Sequence, residues 1–265
     1  MRTTNLLEPS EAKKVSMQKG AFSVIEYERD LSIEPEKAQL AYFASKMDVR
    51  KRQLVASLNN DIGIITQRGR MQLMIGDLRA ETDIKSVGNL FKNFVGSKVT
   101  GETAIKPLYT GDGMLVLEPT FRYILLENLD DWENGFMVED GLFLACYESV
   151  ELHVGARNTI SSAILGGEGL FNTSFSGTGI VALESPVPAS ELIEVNMVDD
   201  VIKIDGNMAI AWTTDLDFTV ERTTPTLVGS VAAGEGLVNV YRGTGKVLIA
   251  PVQNNRNIPS PSNKK

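Results

Sequence analysis

The residues that could do chemistry are few. One histidine, His153, and one cysteine, Cys146, occur in 265 residues. A Cys/His metal cluster and an internal disulfide are both excluded by count, as is any dyad that needs two histidines. His153 sits in Glu151-Leu152-His153-Val154, where apolar and polar residues alternate. It therefore reads as a solvated strand residue beside Glu151 rather than a general base. Cys146 alternates with Leu142 and Leu144 and reads as a small buried hydrophobe rather than a reactive thiol. The carboxylates offer Asp215 and Asp217 on one strand face, and the adjacent pairs Asp130-Asp131 and Asp199-Asp200. None has the spacing of a calcium loop. No nucleophile elbow, zinc-protease helix motif or phosphate-binding loop with its lysine is present. The expectation is a protein with no catalytic, cofactor-binding or metal-binding residue.

Charge carries more information. Lys46 to Pro119 holds 11 basic and 8 acidic residues, Thr120 to Pro186 holds 2 and 10, and Val187 to Pro251 holds 4 and 9. The first of these stretches concentrates Arg50, Lys51, Arg52, Arg68, Arg70 and Arg79. That set is either ordinary surface charge or a candidate binding patch for an acidic partner, including the acidic repeat of another copy of the chain. A net charge of −8 argues against general nucleic-acid binding, and no basic-aromatic stripe supports RNA.

The elements that must carry these residues repeat. Gly111 to Pro119 reads GDGMLVLEP, Gly177 to Pro186 reads GTGIVALESP, and Gly243 to Pro251 reads GTGKVLIAP. The leading glycines are 66 residues apart in both intervals. Upstream lie Gly101-Glu102, Gly167-Glu168 and Gly234-Glu235. Each Gly-x-Gly stands between two strand-like runs. Gly111, Gly113, Gly177, Gly179, Gly243 and Gly245 are therefore expected at hairpin turns that need positive φ, with the following Pro ending the pairing. Helix-capable stretches precede the Gly-Glu pairs, most clearly at Val87–Val95 and more weakly at Asn158–Leu165 and Pro225–Val231. The reading is an N-terminal extension over 1–51, β-repeats over 52–119, 120–186 and 187–251, and a disordered tail over 252–265.

Within the extension, Phe22 to Tyr27 reads as a strand and Pro35 to Met47 as a helix, with Leu40, Phe43, Ala44 and Met47 on one face that packs on the first repeat. The N-terminus has no secretory apolar stretch, no window reaches the ~18 apolar residues of a membrane span, and one unpaired Cys suits a reducing compartment. These features point to a soluble, cytoplasmic protein.

The three Gly-Glu/Gly-x-Gly units, together with Gly69-Arg70-Met71-Gln72-Leu73-Met74-Ile75-Gly76, resemble the altered-inheritance-of-mitochondria family of tryptophan-RNA-attenuator-like (TRAP-like) proteins. The resemblance covers roughly Arg52 to Pro251. It implies an all-β fold of three repeated TRAP-like β-sandwich units, of short double-stranded β-helix type, in a pseudo-threefold arrangement. It implies no known enzymatic activity, and its mitochondrial members are associated with inner-membrane organisation. The resulting functional expectation is a non-enzymatic interaction or assembly module with no cofactor, whose partner is a protein or another copy. The alternative is a small-ligand binder using a cleft between repeats.

Overall fold

The computed structural model describes residues 3–81, 106–156, 171–206, 208–222 and 237–252. The helices expected at Val87–Val95, Asn158–Leu165 and Pro225–Val231, the three Gly-Glu pairs and the tail beyond Val252 lie outside the described residues.

The chain opens with β1 (Lys13–Lys19) and β2 (Phe22–Tyr27), then a 3-10 turn at Pro35–Lys37 that runs into α1 (Ala38–Lys46). Next come β3 (Arg52–Leu58), β4 (Ile64–Thr66), β5 (Met71–Glu81) and β6 (Leu108–Leu117). They are followed by β7 (Tyr123–Asn128), β8 (Phe136–Val138), β9 (Phe143–Tyr147), β10 (Val150–Ala156), β11 (Phe171–Gly177) and β12 (Ile180–Ser185). The last group is β13 (Ile193–Asp205), β14 (Ala209–Thr213), β15 (Asp217–Arg222) and β16 (Leu237–Ile249). The protein is predominantly β.

The strands form two sheets. The first runs β1-β2-β3-β6-β4-β9-β12-β7, with β5 also on β6, and the second runs β10-β11-β8-β14-β16-β13, with β15 also on β16. The first sheet is nearly a barrel. Arg52 at the start of β3 exchanges backbone hydrogen bonds with Thr120, just ahead of β7, at 2.7 and 2.8 Å, which brings the two ends of the β3-to-β7 path together. Closure of this kind removes the exposed edges that a flat sheet would leave. Inside it pack Phe22, Leu54, Ile64, Leu115, Leu126, Leu144 and Ala182. Ile25, Val55 and Val116 point to the other face of β2, β3 and β6, where Leu6 and Leu7 cover them. This explains why burial in β2 and β3 is nearly continuous instead of alternating.

The segment boundaries at 119 and 186 do not separate the cores. Strands of the first segment lie in the first sheet and those of the third in the second, while the middle segment gives β7, β9 and β12 to one and β8, β10 and β11 to the other. Among the described residues no ladder joins the first segment to the third. The ring of three units expected from the sequence is thus not closed by strand pairing, and the middle segment links the other two. Leu125, Phe143, Val181 and Leu183 meet Phe136, Val138, Phe175, Ile210 and Leu248 in one cluster between the sheets.

The Gly-x-Gly motifs do not form three hairpin loops. β6 and β16 run without a break through Gly111–Gly113 and Gly243–Gly245. What changes there is the partner. Ahead of the glycines β6 pairs with β4 and after them with β3, and β16 passes from β15 to β14. Positive φ at Gly111 (114°) and Gly243 (118°) bends the strand so that its two halves can join different neighbours. In the middle copy the same bend is complete: β11 ends at Gly177 in one sheet and β12 begins at Ile180 in the other.

The N-terminal extension also differs from expectation. It attaches through β2, which pairs along β3, and not through its helix. The helix forms, but α1 buries none of its residues.

Candidate functional site

The basic residues singled out in the sequence separate into three environments. Arg50, Lys51 and Arg52 lead into β3 and face the carboxylates that the extension supplies. Arg50 Nη1 donates to Glu26 Oε1 at 2.9 Å, and its Nε lies 2.9 Å from Asp48 Oδ1. Lys51 Nζ donates to Asp30 Oδ2 at 2.8 Å. Arg52 is 3% exposed and its guanidinium lies 3.8 Å above the Tyr123 ring. Asp48 Oδ2 accepts from both Arg52 Nη2 (2.8 Å) and the Tyr123 hydroxyl (2.7 Å). Arg52 is therefore a bolt across the barrel seam, already satisfied by charge and by a desolvated cation–π contact. Arg70 is used in a second way, donating to the buried Glu184 at 2.6 Å on β12. Arg68 and Arg79 alone have no ion pair among the described residues. The six cations do not converge on one open patch.

What the extension does build is a cleft of about 420 Å³ between β1, the loop after β2 and the start of β3. Lys13, Arg29 and Lys51 line it, with Asp30 as its one carboxylate. Lys51 and the Ser32 hydroxyl and N–H hold the Asp30 carboxyl down at about 2, so it stays charged in any ordinary buffer. The floor is a relay. Tyr27 Oη donates to Gln53 Oε1 at 2.7 Å, and Gln53 Nε2 donates to Leu117 O at 2.8 Å and to Gln72 Oε1 at 2.6 Å. Burial pushes the Tyr27 phenol up from its usual range. Sequence reasoning missed this cleft because its walls come from residues 10 to 119. The available signal was Gln53, directly ahead of the apolar Leu54-Val55-Ala56, a polar residue that had to find buried partners.

The extension also carries a run of exposed apolar side chains. Leu31, Leu40, Phe43 and Met47 are 80, 74, 58 and 77% exposed, and Tyr42 and Val49 are also open. Lone exposed hydrophobes need no explanation, but a run of them within twenty residues does.

The remaining chemistry-bearing groups are placed as follows. Cys146 in β9 is fully buried, and burial pushes its thiol far up. Native protein should therefore resist a thiol reagent such as Ellman's and release one equivalent only on unfolding; rapid labelling in buffer would contradict this. His153 and Glu151 are exposed on β10, opposite Ser174 and Ser176. Asp215 accepts from Asn134, while Asp199 sits at a bulge of β13 with its N–H donating to Thr244 Oγ1. No group of three metal-ligating side chains occurs among the described residues, and no helix among them is long and apolar enough to cross a membrane.

Comparison with known proteins finds relatives of this chain. An uncharacterised protein of Streptococcus pyogenes serotype M6 is 26% identical over 193 residues, covering 70% of this chain and 75% of that protein. The crystal structure of another Streptococcus pyogenes protein aligns with a TM-score of 0.56 at 24% identity, covering 78% of this chain and 90% of that one, which supports the fold. The model of the family described as mitochondrial biogenesis AIM24 matches residues 43–252, from α1 to the end of β16 and across both sheets. The chain therefore belongs to the mitochondrial biogenesis AIM24 family.

Proposed function

We propose that the protein is a non-enzymatic assembly module that associates with further copies of itself through the 31–49 segment. The observation that carries this is the exposure of Leu40, Phe43 and Met47 on α1, a helix that buries nothing on its own barrel. An exposed amphipathic face with no partner among the described residues is stabilised by a partner surface that covers it. A second copy suits this face, because its own 31–49 segment presents the same exposed Leu40, Phe43 and Met47, and two such faces can cover each other.

On this reading the three segments descend from one TRAP-like unit. The antiparallel pairs β4–β6, β10–β11 and β15–β16 support that descent, since each joins a short strand to the arm that leads into the Gly-x-Gly. The common role of the segments is to hold the extension rigidly by its β2–β3 ladder.

Sedimentation velocity tests the proposal. The wild-type chain is expected to associate as its concentration rises. The triple variant Leu40→Glu, Phe43→Glu, Met47→Glu should stay monomeric with its melting temperature nearly unchanged. A wild type that is monomeric throughout, or a variant that still assembles, overturns it.

A further inference from the structure

We propose that the cleft between β1, the loop after β2 and β3 binds a small anionic ligand, one that presents a carboxylate or phosphate group. Its volume of about 420 Å³ suits a small metabolite and is too small for a polymer. The stronger argument is what the walls leave open. The acceptors are already taken: Asp30 Oδ1 receives the Ser32 N–H and hydroxyl, Asp30 Oδ2 receives Lys51, and Gln53 Oε1 receives Tyr27. The donors are not. Gln53 Nε2 fills Gln72 Oε1, which fixes the Gln72 amide and leaves its N–H₂ without a partner among the described residues. Arg29 has only a 3.7 Å contact to Glu11, with both side chains largely exposed, an arrangement that holds a guanidinium weakly. Lys51 has spent one of its three N–H donors on Asp30.

A cavity that offers guanidinium, ammonium and amide N–H while its side-chain acceptors at Asp30 and Gln53 each already hold a donor selects a ligand that brings acceptors and negative charge. Three cations against one carboxylate give the same sign. Leu31 and Pro119 at the rim leave room for a short apolar portion.

Isothermal titration of the full-length protein with sodium citrate and with inorganic phosphate tests this, at constant ionic strength and with glycerol as the neutral control. Saturable binding of one anion or both is expected, citrate reporting a carboxylate preference and phosphate a phosphoryl one. Arg29→Gln should weaken it about tenfold and Gln72→Ala by a few-fold. Asp30→Asn should strengthen it, because that substitution removes the one carboxylate among the described lining residues and frees Lys51. Arg79→Gln, on the exposed outer part of β5, should change nothing. Absence of saturable binding overturns the proposal, as does binding that Arg29→Gln leaves unchanged or that Arg79→Gln abolishes. Arg29 and Gln72 are separate from Leu40, Phe43 and Met47, so self-association can fail while this binding holds, and the reverse.

Discussion

Phe175→Ala lowers the free energy of unfolding by about 3–5 kcal/mol, the cost of deleting a large buried ring from a core that cannot collapse around the gap. Phe175 is fully buried on β11 in the second sheet. Its ring centroid lies 5.1 Å from that of Phe136 and 5.6 Å from that of Phe143, and Phe143 belongs to β9 of the first sheet. The side chain thus sits where the two sheets meet, among Leu125, Val181 and Leu183 from one and Val138, Ile210 and Leu248 from the other. Truncation removes apolar contact on both sides and leaves a cavity between them. Urea denaturation followed by circular dichroism gives the measurement. Phe121→Ala is the control, because Phe121 is exposed and its loss should stay within about 0.5 kcal/mol. Equal losses for the two variants would show that the inter-sheet cluster does not couple the sheets.

Gly111→Val costs about 3 kcal/mol or more, and Gly243→Val costs less, about 1–2 kcal/mol. Both glycines hold nearly the same φ, 114° and 118°, where a β-branched residue is strained. Their surroundings differ. A Cβ on Gly111 would collide with the carbonyl oxygen of Asp77 and come within 3.3 Å of Leu78 Cα, both backbone atoms of the facing strand β5. A Cβ on Gly243 would meet nothing closer than Leu216 Cδ2 at 3.7 Å. The strain is shared and the collision is not, so the difference between the variants isolates the close approach of β5 to β6. Indistinguishable losses in the same urea experiment would refute that approach. No loss in either would refute the bend itself.

Local chemistry made much of this protein readable from its residues. The strand at Phe22–Tyr27, the helix after Pro35 and the alternating runs around Cys146 and Asp217 that became β9 and β15 follow from periodicity and turn residues, which act over a few positions. The requirement for glycine at 111, 177 and 243 is equally local, since it reflects a backbone angle. What the glycines do with that angle is not local. Whether a bend joins two strands in a hairpin or lets one strand change partners depends on where β3, β4, β14 and β15 lie, and those neighbours are brought there by the whole fold.

The cations show the same division. Their clustering in the first segment is a property of the chain. That Arg52 serves the barrel seam, that Arg70 neutralises Glu184 on a strand more than a hundred residues away, and that Lys51 faces a cleft became visible only when their partners were in place. The helix is the clearest case. Periodicity along residues 35–47 sets an apolar face whatever surrounds it, but burial requires a second surface. The barrel closes through the Arg52–Thr120 seam and fills itself with Phe22, Leu54 and Leu115, while Leu6 and Leu7 cover its outer face at Ile25 and Val55. With those faces already covered by chain from other parts of the fold, Leu40, Phe43 and Met47 are left facing outward.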